Sequence, residues 1–139
     1  MCTERAPRVV GVVRRIGGAW LRNLCRMPED RVDVALVVVS ELVTNAVLHT
    51  TNSSLWYRSY CPGPGQVRIE VDDGSPSASP APRQAPLLAE SGRGLPLVAA
   101  LVASLGGEWG FANAGTTAWC CFPIHDDQPV FEGPGTRRD

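Results

Sequence analysis

The chain has 139 residues, 44% of them apolar and 19% charged, which suits one compact domain whose core needs no disulfide or metal to hold it together. All 13 basic residues are arginine, so lysine nucleophiles and the lysine-containing phosphate loop of many nucleotide-binding proteins are excluded. The formal net charge of −1 argues against nucleic acid or an anionic membrane as the main partner, because both attract clustered positive charge.

The five cysteines form an odd set without Cys-x-x-Cys spacing, which is typical of buried reduced thiols rather than of a metal or redox centre. The apolar stretches are too short and too often interrupted to span a bilayer, and the N-terminus lacks the apolar region of a secretion signal. We therefore expect a soluble cytoplasmic protein.

Two helices are predicted in the N-terminal part of the chain. Apolar residues recur at steps of three and four over residues 7–26, as on an amphipathic helix. After a break at residues 27–28, Glu29 and Asp30 are placed to open a second helix, since negative charge stabilises a helix N-terminus. This helix carries a longer apolar series and should end near residues 49–52.

Two strands are predicted to follow the helices. Residues 55–60 are rich in aromatic side chains, and in residues 66–72 apolar and charged side chains alternate, which is the pattern of a strand with one buried face. A turn rich in proline and glycine, residues 61–65, separates them. The next segment, residues 74–91, is rich in proline and serine without hydrophobic periodicity, so we predict a long surface loop of the kind that usually carries function.

A third helix is predicted to begin after Gly92-Arg93-Gly94 and to end at Gly106-Gly107, and two closing strands follow it. Grouped strands with helices between them predict an α+β fold, a two-layer α/β sandwich with a mostly antiparallel sheet and the helices on one face. The closing strands are predicted at residues 108–111 and 116–122. The whole fold is predicted to be one domain over residues 1–125, followed by a disordered tail over residues 126–139.

Three polar side chains recur at steps of four in the second helix, and they therefore lie on one face of it: Glu41, Asn45 and His49. A solvated polar face is the ordinary explanation of such a row. Asparagine, however, is a poor helix former, so its place within Ser40–His49 indicates a further role such as ligand binding.

Two adjacent acids, Asp72 and Asp73, stand at the end of the second predicted strand. Successive strand residues point to opposite faces, so one carboxylate continues the polar face of Arg68 and Glu70 and the other points into the apolar layer. An acid in an apolar layer needs a donor, and the exocyclic amine of a base would be one. A capped Asp-Gly turn is the alternative that needs no ligand.

The segment Glu90–Leu95 is rich in glycine and opens the third helix. Backbone N–H groups at a helix start point outward at the positive end of the helix dipole, and glycines allow an anion to come close to them. This pattern indicates a phosphate site without lysine, although Gly-x-Gly before a helix is by itself weak evidence.

Taken in this order, the three segments resemble the nucleotide site of the GHKL ATPase family with its Bergerat fold. The resemblance is greatest to the RsbW-type branch of anti-sigma-factor serine/threonine kinases and to the related stand-alone ATP-binding proteins of actinobacteria. It covers residues 8–123 and is strongest at Ser40–His49, which matches the Ser-Glu-Leu-Val-Thr-Asn-Ala motif of that branch.

The resemblance implies a role for each matching residue. Asn45 would bind Mg²⁺ through its amide oxygen, and Glu41 would be the general base that orients a serine hydroxyl or water for attack on the γ-phosphate. Asp73 would accept a hydrogen bond from the adenine amine, with Asp72 as the alternative. Thr117 would support the adenine from the closing strand.

The remaining matches surround the phosphates. The loop over residues 74–91 takes the place of the ATP lid, and serines at Ser75 and Ser77 replace the glycines of the family's first glycine box, which stiffens the lid hinge. Arg93 offers an added counter-charge. The second glycine box is matched by Gly92, Arg93, Gly94 and Leu95.

The resemblance implies a kinase that binds ATP and Mg²⁺, phosphorylates a small STAS-domain anti-anti-sigma protein on serine, and holds a sigma factor when that partner is phosphorylated. Such kinases usually form homodimers. The alternative is an ATP-gated binding module with negligible turnover, in which ATP orders the lid and changes which partner docks. The presence of Glu41 favours the kinase, and the serine-substituted glycine box favours the module.

Overall fold

A computed structural model describes residues 2–48, 54–74 and 94–126, and the fold is given for these residues. Helices and strands occur in the predicted order. They are the helix α1 (Cys2–Ala19), a π-helical turn (Trp20–Leu24), α2 (Glu29–Leu48), the strands β1 (Trp56–Tyr60) and β2 (Gln66–Asp72), the helix α3 (Gly94–Ser104), and the strands β3 (Glu108–Ala112) and β4 (Thr117–Pro123).

The four described strands form one antiparallel sheet in the order β1-β2-β4-β3. Alternate residues of the two central strands are buried on the same face because directly paired residues share a face: Val67 pairs with Phe122, Ile69 with Cys120, and Val71 with Ala118. The helices cover this inner face. The predicted α+β sandwich with a mostly antiparallel sheet is thereby confirmed.

The helix α2 lies at the centre of the helix layer, with α1 and α3 packed against it. Most of its apolar residues are buried, and Val32, Val38, Val43 and Val47 are fully so. It begins at Glu29, as the acidic pair at its start predicts. The central place of α2 explains why its apolar series is longer than that of a one-sided amphipathic helix.

The first helix differs from the prediction at both ends. It begins at Cys2 rather than Pro7, so Pro7 lies inside the helix, where it has no N–H to donate. Its last turn is π-helical, with the Cys25 N–H donating to the Trp20 carbonyl at 3.1 Å. The segment ends at Arg26, which has a φ of 57°, a backbone conformation that neither its residue type nor the hydrophobic spacing indicates.

The later elements begin and end close to their predicted limits. Gly106 has a φ of 78°, and the Gly107 N–H donates to the Val102 carbonyl at 2.9 Å, so the glycine pair ends α3 by a Schellman motif. Asp126, predicted as the first residue of the tail, forms an ion pair with Arg31. The predicted lid beyond Gly74 and the rest of the tail beyond Asp126 lie outside the described residues.

Candidate functional site

The C-terminal half of α2 places a buried amide at a cleft between the helices and the sheet. Asn45 is only 6% exposed, and its Nδ2 has no hydrogen-bond partner among the described residues. Glu41 precedes it by one turn and is partly exposed. A neutral amide that is buried with an unmade hydrogen bond is costly, so the geometry favours a ligand at this point.

The cleft beside Asn45 is narrow. Between its described walls there is about 10 Å³ of space, enough for one water molecule. The space between these described walls is therefore smaller than a purine ring. The walls are formed by Leu42, Asn45, Ala46, Val71, Phe111, Gly115, Thr116 and Ala118.

The two adjacent acids at the exit of β2 have different environments, as the alternation of strand residues predicts. Asp73 is fully buried, and its backbone N–H donates to the Thr116 carbonyl at 3.1 Å. Asp72 continues the opposite face of the sheet, the outer face, on which Arg68 and Glu70 form an ion pair. Of the two carboxylates, that of Asp73 is therefore on the side of the helix layer.

Thr117, predicted to support the adenine, is not among the residues that line the cleft beside Asn45. It pairs with Asp72 across the sheet, and its hydroxyl donates to Asp72 Oδ2 at 3.1 Å, so its side chain belongs to the outer face. Thr116 lines the cleft instead. The sequence Gly115-Thr116-Thr117 offers two threonines, and only the pairing of β4 with β2 decides which one faces the helices.

The phosphate side of the predicted site is described only at its edge. The helix α3 begins at Gly94, and Leu95 in its first turn is buried, as expected for a helix that opens with the second glycine box. The other predicted residues of this side lie outside the described residues: His49, Ser75, Gly92 and Arg93.

Sequence reasoning missed the apolar walls of the cleft. Leu42 and Ala46 flank Asn45 on α2, and Phe111 and Ala118 face it from the sheet. All four belong to the apolar periodicity of their elements, so the sequence marks them as core residues and not as site residues. Their place at a cleft depends on how far the helices stand from the sheet.

The residues present fit a magnesium ion that takes most of its ligands from phosphate and water. Among the described residues, no group of three or more His, Cys, Asp or Glu side chains could hold a metal ion. Mg²⁺ commonly keeps several waters and binds through one or two protein groups together with substrate phosphates. Asn45 is the one amide at the described cleft walls that could serve as such a group.

Comparison with known proteins identifies the family. A family model described as the histidine kinase-like ATPase domain matches residues 3–122. The chain belongs to the histidine kinase-like ATPase family. This is the GHKL family that the motif on α2 indicates, and the antiparallel sheet with helices on one face is consistent with its fold.

One solved structure resembles this ATPase domain over most of its length. The histidine kinase domain of a blue-light activated histidine kinase from Erythrobacter litoralis EL346 is 26% identical, with a TM-score of 0.51. The match covers 70% of this chain and 46% of that chain, so this chain accounts for less than half of the other protein's length. No curated protein matches the chain.

Membership of the family implies a nucleotide ligand for the domain. An ATPase domain binds ATP, and the described residues include the buried amide of Asn45 on one wall of the cleft and the buried carboxylate of Asp73 at the exit of β2.

None of the helices in the described part of the chain combines the length and the apolar character that a membrane-spanning segment requires.

Proposed function

We propose that this histidine kinase-like ATPase domain is a cytoplasmic, ATP- and Mg²⁺-dependent serine/threonine kinase of the anti-sigma-factor type. Its substrate in this proposal is a serine of a STAS-domain anti-anti-sigma protein, its second partner is a sigma factor, and it acts as a homodimer. The match of Ser40–His49 to the kinase motif supports the choice of branch. The observation that carries the nucleotide part is the buried Asn45 amide at the cleft.

Asn45 has the chemistry to bind the magnesium complex of ATP. Turning the amide by 180° exchanges its oxygen and nitrogen, so either atom can take the position that lacks a partner. When bound, Mg²⁺ neutralises charge on the phosphates. The role of Asn45 is to provide a neutral oxygen at a fixed place on a rigid helix, so that the phosphates lie next to Glu41.

Asp73 supports adenine as the base. A carboxylate accepts the N–H of the exocyclic amine of adenine, whereas guanine presents a carbonyl oxygen at the same position and would be repelled. Since Asp73 is fully buried, such a hydrogen bond would form away from water and contribute strongly to selectivity. Thr116 replaces Thr117 as the threonine next to the base in this proposal.

Glu41 is the proposed general base. The serine hydroxyl oxygen attacks the γ-phosphorus, the bond from that phosphorus to the bridging oxygen of ADP breaks, and the hydroxyl proton passes to the Glu41 carboxylate. Glu41 is partly exposed on the same helix as Asn45, so an incoming serine can reach it without displacing the core.

The proposal is tested by thermal unfolding with and without ATP and Mg²⁺, followed by incubation with γ-labelled ATP and candidate STAS proteins. We expect a higher Tm with ATP and label on a serine of one STAS protein. The variant Glu41→Ala should keep the shift in Tm and lower transfer by about 10²- to 10⁴-fold. Label on histidine would contradict serine specificity. An unchanged Tm on addition of ATP and Mg²⁺ would contradict nucleotide binding.

The ATP-gated binding module is the second candidate, and the narrow cleft favours it. If the walls must separate before a purine enters, ATP binding changes the conformation of the domain, and a partner can respond to that change without any phosphoryl transfer. A shift in Tm with ATP, together with ATP-dependent partner binding and no labelled product, would select the module over the kinase.

We expect Asn45→Ala to abolish the Mg²⁺-dependent part of ATP binding without destabilising the unliganded domain. The substitution removes a buried amide that lacks a partner, which offsets the packing that is lost. Binding is measured by calorimetry with Mg²⁺ and with EDTA, and stability by urea unfolding. Val37→Ala, at an exposed position of the same helix, is the control and should leave ATP binding unchanged. An Asn45→Ala variant that still binds ATP in a Mg²⁺-dependent way would refute the metal assignment.

A further inference from the structure

Asp72 uses both of its carboxylate oxygens to hold the chain at the exit of β2. Oδ1 accepts a hydrogen bond from the Gly74 N–H at 2.7 Å, and Oδ2 accepts one from the Thr117 hydroxyl at 3.1 Å. The Thr117 oxygen in turn accepts a hydrogen bond from Nδ2 of Asn113 at 2.9 Å. This series of hydrogen bonds joins the turn between β3 and β4 to the residue that leads into the segment 75–93.

Asp73 lies between Asp72 and Gly74, which the Asp72 carboxylate ties together. Its own N–H is held by the Thr116 carbonyl at 3.1 Å. Gly74, which follows it, has a φ of 72°, a conformation that side-chain-bearing residues rarely adopt. Because the backbone is held on both sides, rotation of the Asp73 peptide would break at least one of these hydrogen bonds. The Asp72 carboxylate therefore helps, from the outer face of the sheet, to hold the backbone from which the Asp73 side chain projects.

We infer that Asp72 is a positioning residue for base recognition, which holds the Asp73–Gly74 turn in the orientation that presents the Asp73 carboxylate to the purine. The inference rests on the proposed function of Asp73. Asp72 is on the outer face of the sheet, whereas Asp73 is fully buried on the side of the helix layer, so the effect of Asp72 passes through Asp73. Thr117 acts one step further away, as the donor that holds Asp72.

The test is a double-mutant cycle in the full chain, with the affinity for ATP in the presence of Mg²⁺ as the readout and GTP as the comparison. Asp73→Asn should lower ATP affinity on the order of 10-fold and reduce the preference for ATP over GTP, as expected for a lost buried hydrogen bond. Asp72→Ala should have an effect of similar size. The double variant should lose far less than the product of the two, because a misdirected Asp73 has little left to lose.

A second pair of variants breaks the same series of hydrogen bonds from the other end. Thr117→Val keeps the shape of the side chain and removes the hydroxyl donor, so it should weaken the preference for ATP over GTP. Thr117→Ser keeps the hydroxyl and should retain the wild-type preference. Thr117→Val also replaces Asp72→Ala in the cycle if the latter fails to fold. Glu70→Gln is the matched control, because Glu70 lies two residues before Asp72 on the same face of β2. It should leave ATP affinity within about twofold.

The outcomes separate this inference from the proposed function. Additive effects of Asp72→Ala and Asp73→Asn, in a wild-type chain that binds ATP, overturn the positioning role alone. Loss of base preference in Asp72→Ala with none in Asp73→Asn assigns base reading to Asp72 itself and also overturns it. A wild-type chain that binds no nucleotide overturns both the proposed function and the inference.

Discussion

Tyr57 directs its hydroxyl from β1 into the helix layer, against Gly17 of α1. A Cβ at position 17 would lie 2.7 Å from that hydroxyl oxygen, and the hydroxyl has no hydrogen-bond partner among the described residues. The glycine that weakens the helical pattern is therefore explained by packing. At the residue scale, β1 and α1 can come this close because the glycine at position 17 has no side chain.

We expect Gly17→Ala to destabilise the fold by about 1–3 kcal/mol, the usual cost of an overpacked contact, despite the better helix propensity of alanine. Tyr57→Phe removes the oxygen and leaves the ring carbon at 3.6 Å, so the double variant should recover the loss. Gly11→Ala is the matched control, because a Cβ there meets nothing within 4 Å, and it should stabilise α1 by about 1 kcal/mol. Urea unfolding of the four variants measures the effects. Equal behaviour of Gly11→Ala and Gly17→Ala would contradict the packing explanation.

At the scale of the elements, Arg31 joins the start of α2 to the ends of α3 and β4. Its guanidinium is 4% exposed and donates to the carbonyls of Leu105 at 2.8 Å, Pro123 at 2.6 Å and Ile124 at 2.9 Å. The fork of five donors can satisfy three carbonyls and the Asp126 carboxylate together. These hydrogen bonds hold α2, α3 and β4 together at the end of the sheet opposite Asp73.

We expect Arg31→Met to destabilise the domain by about 3–5 kcal/mol, because three buried carbonyls lose a charged donor. Arg31→Lys should recover less than half of this loss, since an ammonium cannot reproduce the planar fork. Arg22→Ala, which removes an ion pair with Glu29 at 2.9 Å on the surface, is the control and should change the urea midpoint little. A lysine variant as stable as wild type would show that charge alone matters at this position.

The outer face of the sheet carries a second set of contacts between elements, centred on Glu70. This carboxylate is 8% exposed and accepts from Arg68 Nε at 2.7 Å, Arg58 Nε at 3.1 Å and the Tyr60 hydroxyl at 3.2 Å. Arg68 also lies over the Trp119 ring, 4.5 Å from its centroid. Burial raises the pKa of Glu70, but the hydrogen bonds from Arg68 and Arg58 outweigh it, and the net pKa is lowered from 4.5.

A carboxylate whose pKa is lower in the folded than in the unfolded state stabilises the fold at pH values above its unfolded pKa. This stabilisation is lost as the pH falls through the folded pKa. Wild type should therefore lose stability as the pH falls below 4.5. Glu70→Gln should be less stable at pH 7, and its difference from wild type should shrink over that acid range. Urea unfolding at several pH values from 7 to about 3 measures this difference. Parallel curves for the two proteins would contradict the role of Glu70.

At the scale of the whole molecule, the thiols report on the layers of the fold. The four cysteines whose side chains the structure describes are free but differ in exposure: Cys25, Cys61, Cys120 and Cys121. The expectation of buried thiols is confirmed for Cys120, on the inner face of the sheet, and is wrong for Cys61, which is exposed in the turn after β1. Burial, with a smaller contribution from Cys121, raises the pKa of the Cys120 thiol to about 12.

We expect iodoacetamide at pH 8 to label Cys61 rapidly and Cys120 only when the domain unfolds, because the thiolate is the nucleophile. If the domain binds ATP, a concentration of 100 times Kd should slow the labelling of Cys120 by about 100-fold and leave that of Cys61 unchanged. Mass spectrometry of peptides follows each site, and Cys61→Ser controls for effects of the first label. Equal rates at the two sites would mean that the sheet opens locally.

The sequence by itself determined the elements and the family. Periodicity of three to four in α2, alternation in β2 and the glycine pair after α3 are local properties, and each predicts its element because side-chain direction follows from the backbone of that element alone. The part of the motif from Ser40 to Leu48 lies within one helix, so it could be recognised without knowledge of any contact between elements.

The tertiary structure alone decided which residues meet. The choice between Thr116 and Thr117 required the register of β4 on β2, and a shift of one residue would have reversed it. The partners of Arg31 are 74 to 95 positions away in the chain. The Tyr57 hydroxyl comes next to position 17 only when the helices pack on the sheet, so only the packed structure explains the glycine there. Such contacts depend on pairing between distant segments, and no local pattern encodes the partner.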